Sequence, residues 1–258
     1  MMPRASRVLV VVLLAVIAAG VTPAFAFSDV YERSFPLRSG GSFVLSNVNG
    51  SVQVEAWDRD EVQVRAVKES KNNPPDESRV KIEVEVTSDS VAVVTRYPQE
   101  DGLDVTVEYR VRVPARLLQA RIETVNGSVR VRGVEAAGEL RTVNGDIELL
   151  DGAGHVSART TNGNIRLELD HLGASVEGRE PVSAETINGS VVLEFPANVN
   201  AGLEVRSLNG DFYSELPVAV QSSIGAGDFR GRLGRGGPLV RIRTVNGGIR
   251  IVAARATV

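Results

Sequence analysis

The chain has 258 residues, 29 Lys and Arg against 32 Asp and Glu, a formal net charge of −3, and no Cys. The absent thiols exclude disulfides, Fe–S clusters, Cys-ligated zinc and thiolate catalysis, so packing and hydrogen bonds alone must hold the fold. The mildly acidic balance argues against nucleic acid and against an anionic membrane surface as partners.

Arg4 and Arg7 precede an apolar run from Val8 to Ala19, and Ala24-Phe25-Ala26 has the small-x-small form of a cleavage site. Residues 1–26 therefore read as a signal peptide, with Phe27 as the mature N-terminus. The competing reading is a retained anchor. Gly20, Thr22 and Pro23 cut the apolar run short of the roughly 20 residues a span needs. No Cys follows for lipid attachment, and no later stretch is long and apolar enough to span. Without its first 26 residues the chain keeps 232, with 27 basic against 32 acidic side chains, enough for one large β domain or two small ones.

From Ser34 onward the pattern is alternation. Phe43-Val44-Leu45 leads to a first Asn-Gly, Asn49-Gly50, and Val52, Val54 and Ala56 follow it. Trp57-Asp58-Arg59-Asp60 interrupts the alternation, and Asp58-Arg59-Asp60-Glu61 reads as a turn between strands, lacking the spaced acids and glycine of a calcium loop. Val62 to Lys68 alternates again. Lys71 to Glu77, with Pro74 and Pro75, is a polar loop, because paired prolines remove donors and fix φ. Val80–Val86, Val91–Val94 and Val105–Val113 are further strands with one apolar and one charged face. Helical periodicity is nearly absent, and Pro114 to Ala120 is the one stretch that could make a helical turn.

Beyond Ala120 a motif repeats. Thr124-Val125-Asn126-Gly127-Ser128-Val129 returns as Thr142-Val143-Asn144-Gly145-Asp146-Ile147, then around Asn162-Gly163 and Asn188-Gly189. Looser copies surround Asn209-Gly210, and Asn246-Gly247 closes the series. Steps between the asparagines are 18, 18, 26, 21 and 37. Gly227-Asp228-Phe229-Arg230 matches Gly210-Asp211-Phe212-Tyr213 and divides the last step, while Asp170-His171-Leu172-Gly173 reads as a loop insertion within the step of 26. A motif kept in phase marks a repeat architecture.

Asn-Gly between alternating runs is also a hairpin signal, through a type I′ turn. Coils are preferred here for two reasons. Thr two before Asn and an aliphatic residue or Phe two after Gly recur as well, which a hairpin does not require. Outward charges also suit neighbours one coil away, as in Arg130, Glu148 and Arg166. The expected fold is all-β, a parallel β-solenoid or β-helix-like repeat protein. Residues 27–120 form its N-terminal β region of cap and first coils, and 121–258 the repeat solenoid continuous with it. Asn49, Asn126, Asn144, Asn162, Asn188, Asn209 and Asn246, with the glycine after each, form a structural turn ladder of stacked amides. A last coil follows the glycine-rich Gly231–Gly237.

The copies "SNVNGSVQVEAWDRDEVQV", "ETVNGSVRV", "RTVNGDIEL", "RTTNGNIRL" and "RTVNGGIRI" resemble the bacterial putative-adhesin family of β-strand-repeat domains, over about Ser34 to Val252. The resemblance implies an exported, β-solenoid-like envelope protein and carries over no catalytic residue.

Chemistry-bearing residues are few. His155 and His171 sit beside glycines and read as surface histidines. Asp146, Glu148, Asp151, Glu168 and Asp170 fall on neighbouring coils, where an acid/base pair or calcium site would need them to converge. Glu148, however, is explained by its two arginine neighbours. Gly225-Ala226-Gly227-Asp228 lacks the tandem copies of a calcium-binding repeat, and Gly234–Gly237 lacks the Lys and Ser/Thr of a phosphate loop. Asn49, Asn126 and Asn188 lie in N-x-S sequons that are more simply the turn motif. Tyr213 occupies an outward position that carries charge in other coils. The sequence thus predicts a non-enzymatic binding or scaffold protein, periplasmic or at the cell surface, with no cofactor, no metal, and an envelope glycan or protein as partner. A polysaccharide-active β-helix enzyme and a periplasmic structural or stress-sensing protein are the alternatives.

Overall fold

The computed structural model describes residues 27–70, 76–98, 103–173, 181–223 and 227–254. The predicted signal peptide, residues 71–75 of the polar loop, and Gly225 and Ala226 lie outside the described residues. Twenty strands and one 3-10 turn (Glu77–Arg79) are present among them, and no α-helix. The strands are β1 (Phe27–Pro36), β2 (Ser42–Ser46), β3 (Val52–Trp57), β4 (Glu61–Ser70), β5 (Lys81–Val86), β6 (Ser90–Arg96) and β7 (Val105–Pro114). Next come β8 (Arg116–Glu123), β9 (Val129–Arg132), β10 (Glu135–Arg141), β11 (Ile147–Arg159), β12 (Ile165–Leu172), β13 (Val182–Glu185) and β14 (Val191–Phe195). The last are β15 (Ala201–Asn209), β16 (Phe212–Ser214), β17 (Val218–Ser223), β18 (Asp228–Leu233), β19 (Leu239–Asn246) and β20 (Ile249–Ala253).

Each Asn-Gly corner separates two strands, one on each of two ladders. The first ladder runs β5–β6–β2–β8–β10–β11–β13–β19–β15–β18–β17. The second runs β1–β4–β7–β3–β9–β11–β12–β14–β20–β16. β11 serves both, because its chain turns at Asp151, the one non-glycine residue with positive φ (51°) among those described.

Alternation puts every second side chain inside, and parallel register stacks these into columns. Leu45, Ile122, Leu140, Ala158, Ala184, Ile242 and Val205 form one on the first ladder. Val54, Val131, Leu149, Leu167, Leu193 and Ile251 form one on the second. All are buried, and one hydrophobic cluster runs from Leu37 to Ile251. Burying each such aliphatic side chain contributes about 1.5–3 kcal/mol.

The coils pair in parallel, as expected, and the hairpin alternative fails. Asn126 bridges Asn49 and Asn144, on neighbouring coils, and no motif Asn has the positive φ a type I′ turn demands.

Several expectations are corrected. The solenoid is not wholly parallel: β4 is antiparallel to β7, β1 to β4, β5 to β6, β18 to β15 and β17 to β18. These arms cover edges where a purely parallel stack would leave open N–H and C=O groups. The coil of β19 and β20 is not terminal either. It lies between the β13/β14 coil and the β15/β16 coil. Since β18 takes one edge of β15, the closing coil takes the other.

Gly227–Arg230 is no coil corner, for Asp228–Leu233 is the antiparallel arm itself. Asp170 to Leu172 extend β12 rather than forming a loop, with His171 opposite Ala153. His155 likewise lies on β11. Pro114 to Ala120 is strand apart from a break at Ala115.

Candidate binding surface

The corner is built from three columns. Innermost is the buried Thr, whose hydroxyl donates to the glycine carbonyl one coil away: Thr124 to Gly50 (3.0 Å), Thr142 to Gly127 (2.8 Å), Thr160 to Gly145 (3.0 Å), Thr186 to Gly163 (3.0 Å) and Thr244 to Gly189 (2.9 Å). Asn47 replaces Thr where the neighbouring coil has no Asn-Gly. Its longer amide reaches the carbonyls of Gly50 (3.1 Å) and of Val107 (3.0 Å) on that neighbour.

The glycines stack next. A Cβ on Gly127, Gly145, Gly163, Gly189, Gly247 or Gly210 would fall within 1.9–2.2 Å of the carbonyl oxygen of the glycine beside it. Close approach of backbones, more than turn geometry, is what requires glycine here.

Outermost, the seven asparagines make one chain of side-chain hydrogen bonds. Nδ2 donates to Oδ1 from Asn209 to Asn246 (2.9 Å), and then at 2.8 Å from Asn246 to Asn188, Asn188 to Asn162, Asn162 to Asn144, Asn144 to Asn126 and Asn126 to Asn49. Each amide within the chain still holds a second N–H and a second lone pair. Six steps of ~4.8 Å make a strip roughly 29 Å long.

Beside the amides runs a column that the sequence reading did not single out. The residue between Thr and Asn must point outward if Thr points inward. Val48, Val125, Val143, Ile187, Val245 and Leu208 do so and are between 36% and 76% exposed; Thr161 fills the remaining row. Their backbones are in register, the N–H of Asn126, Asn144, Asn162, Asn188 and Asn246 each donating to the carbonyl of this residue on the adjacent coil, and Asn209 lying opposite Asn246.

Of the candidate carboxylates, Glu148 is opposite both Arg130 and Arg166 and pairs with Arg130, while Arg166 turns to Glu194 at 3.0 Å. Asp146 stays at the corner, accepting from the Asn164 N–H at 2.7 Å. Burial, together with nearby Glu194, Asp151 and Asp170, holds the Glu168 carboxyl above its ordinary value against the pull of Arg166. Glu194 lies directly opposite Glu168, a register the sequence reading did not work out across the long step between these coils. No group of three or more His, Asp or Glu among the described residues is arranged to hold a metal. Tyr213 is 57% exposed and faces Arg250.

On the opposite ladder Glu204 is buried among Arg206 (3.2 Å), Arg230 (3.5 Å), Arg241 (3.5 Å) and Arg243 (3.6 Å). Burial pushes its carboxyl up, but Arg241, Arg206, Arg230 and Arg243 outweigh that and hold it below the usual value.

A family model described as Toastrack DUF4097 matches residues 99–252. The chain belongs to that family. In this Toastrack chain the matched span holds six of the seven Asn-Gly corners. No curated protein matches it.

Similar solved structures include a putative cell adhesion protein from Clostridium sporogenes, at 11% identity and a TM-score of 0.41, covering 88% of this chain and 100% of that one. A putative adhesin from Bacteroides fragilis, also at 11% identity, gives a TM-score of 0.40 over 88% and 97%. A putative lipid binding protein from Parabacteroides distasonis, at 8% identity, gives 0.35 over 88% and 97%. No helix among the described residues is long and apolar enough to cross a membrane.

Proposed function

We propose that this protein is an exported, non-enzymatic component of the cell envelope that binds or scaffolds a repetitive polymer along its coil corners. The observation that carries the proposal is the pairing of the seven-asparagine chain with an exposed aliphatic column in the same register. Aliphatic side chains left outside at the same place in six coils, with Thr161 between Val143 and Ile187, form a stripe along the corners, and exposed apolar surface of this kind marks interaction sites. The amides beside it supply a donor and an acceptor at every step. Contacts weak in one coil add up over seven, so affinity comes from repetition rather than from a deep pocket.

The test is retention of envelope glycans or proteins on the immobilised chain lacking residues 1–26. Ile187→Lys with Val245→Lys should lower retention while leaving thermal unfolding unchanged, since both side chains are solvent-facing. Unaltered retention by that variant would contradict the proposal.

One observation favours a second reading, a polysaccharide-active enzyme. Glu168 faces Glu194 directly across β12 and β14, and burial with Glu194, Asp151 and Asp170 nearby raises its carboxyl above the ordinary value, the direction a general acid needs. Glu168→Gln should then abolish product release from uronate-rich polymers; release by the variant at the original rate would rule that role out.

A further inference from the structure

A second surface departs from the charge logic of the rest. On the outer face of the second ladder Arg65 is directly opposite Arg110, which is opposite Gln53; one row along, Gln63, Arg112 and Glu55 follow each other. Like charges placed directly opposite destabilise a sheet. Other facing arginine pairs have carboxylates at hand: Arg141 and Arg159 contact Glu139 and Glu185, and Arg206 and Arg243 contact Glu204. Arg65 has Glu32 at 3.7 Å, but Arg110 has no ion pair among the described residues.

Arg112 has no carboxylate partner there either; its guanidinium sits 5.8 Å from the Trp57 ring centroid. Trp57 is itself fixed by donating Nε1–H to the Glu61 carbonyl at 2.8 Å. Packing on the ring holds Arg112 in place and leaves the edge of its fork free.

Arg65, Arg110 and Arg112 line a depression of about 350 Å³ with Glu32, Gln53, Glu55 and Gln63. A second depression of about 190 Å³, lined by Gln53, Arg65, Glu69, Glu108 and Arg110, continues on the far side of the Arg65–Arg110 row. The two depressions share Gln53, Arg65 and Arg110 and together form a groove along β4, β7 and β3. Guanidinium forks match a planar carboxylate bidentately. The Gln53 and Gln63 amides offer donors and acceptors of the kind that read hydroxyls. Glu55, Glu69 and Glu108 along the flanks disfavour a densely charged polyanion and favour isolated anionic groups spaced by neutral ones.

We propose that this groove binds an acidic saccharide, with Arg110 and Arg112 holding the carboxylate of a uronic-acid residue and Gln53 and Gln63 its hydroxyls. It lies away from the coil corners, so its failure leaves the corner proposal standing.

The test is calorimetric titration of the chain lacking residues 1–26 with an unbranched oligosaccharide in which uronic-acid residues alternate with neutral sugars, and with its neutral methyl ester. The acid should bind and the ester should not. Arg110→Gln and Arg112→Gln should each weaken binding about tenfold or more. Arg250→Gln, an exposed arginine at the other end of the same ladder, should change nothing. Thermal unfolding of each variant checks that the fold is kept. Equal binding of acid and ester, unchanged affinity in Arg110→Gln, or no binding of the acid would each overturn the proposal.

Discussion

Asn246 donates its side-chain amide to Oδ1 of Asn188, 58 residues earlier, at 2.8 Å. Asn209, which precedes Asn246 in the chain, lies on its other side. The closing coil thus lies between two coils that precede it in sequence, whereas at the other end β2 lies between β6 and β8, which both follow it. The antiparallel arms lie one strand further out, on β15 at one end and on β6 and β7 at the other.

The amide chain gives an internal comparison. Asn162→Ala removes the bond to Asn144 and the one from Asn188, whereas Asn209→Ala at the terminus removes one. The amides are exposed, so we expect about 1–2 kcal/mol for the first and roughly half that for the second. Urea unfolding measures both, and equal losses would show that the chain is not additive.

Glycine substitution should be far harsher. Gly145→Ala would set a Cβ 2.2 Å from the Gly127 carbonyl oxygen, and the Gly163 backbone is equally tight on the other side, where a Cβ on Gly163 would fall 2.0 Å from the Gly145 carbonyl oxygen. Relief on one side worsens the other, so a loss above about 3 kcal/mol is expected. Gly40→Ala meets open space at φ +85° and should cost about 1 kcal/mol.

Acid should act through Glu204. Its folded carboxyl titrates below the ordinary 4.5, so the stability it adds is complete above that value and is lost as pH falls through the folded one. Glu204→Gln should lower the melting temperature at neutral pH, and the gap to the parent should narrow as pH falls below about 4.5. Glu168 has the opposite sign. Its raised carboxyl favours folding only while protonated, so Glu168→Gln should raise the melting temperature at neutral pH, with the gain fading in acid.

Two tyrosines should resist alkali. Burial pushes Tyr97 up to about 12, its bond to the Asn49 carbonyl notwithstanding, and pushes buried Tyr109 higher still against its hydrogen bond to Thr95. Both favour the fold below the unfolded value of 10.0, and that stability is lost as pH rises through the folded values. Ultraviolet titration should show these two ionising only as the chain unfolds; ionisation near 10 would contradict their burial.

Strands and coil stacking were legible because alternation at period two and recurrence at fixed phase are local signals. The Arg130–Glu148 pair followed from the step of 18 alone. The outward Val and Ile column was also legible in principle, since a buried Thr forces its successor outward. The position of the closing coil was not, because every copy of the motif can stack on every other. Gly227–Arg230 misled because it copies the glycine and the strand after it but lacks Thr and Asn, the residues that bond to the next coil. The Arg65–Arg110 pairing joins strands 45 residues apart through an antiparallel arm that no repeat announces.

The most direct test is hydroxyl-radical footprinting of the chain lacking residues 1–26, alone and with envelope polymer retained on it. Binding along the corners predicts protection of Val125, Val143, Ile187, Val245 and Leu208 together, on coils that span most of the stack. Protection confined to a single coil, or centred on Glu168 and Glu194 with the corner column still reactive, would contradict it.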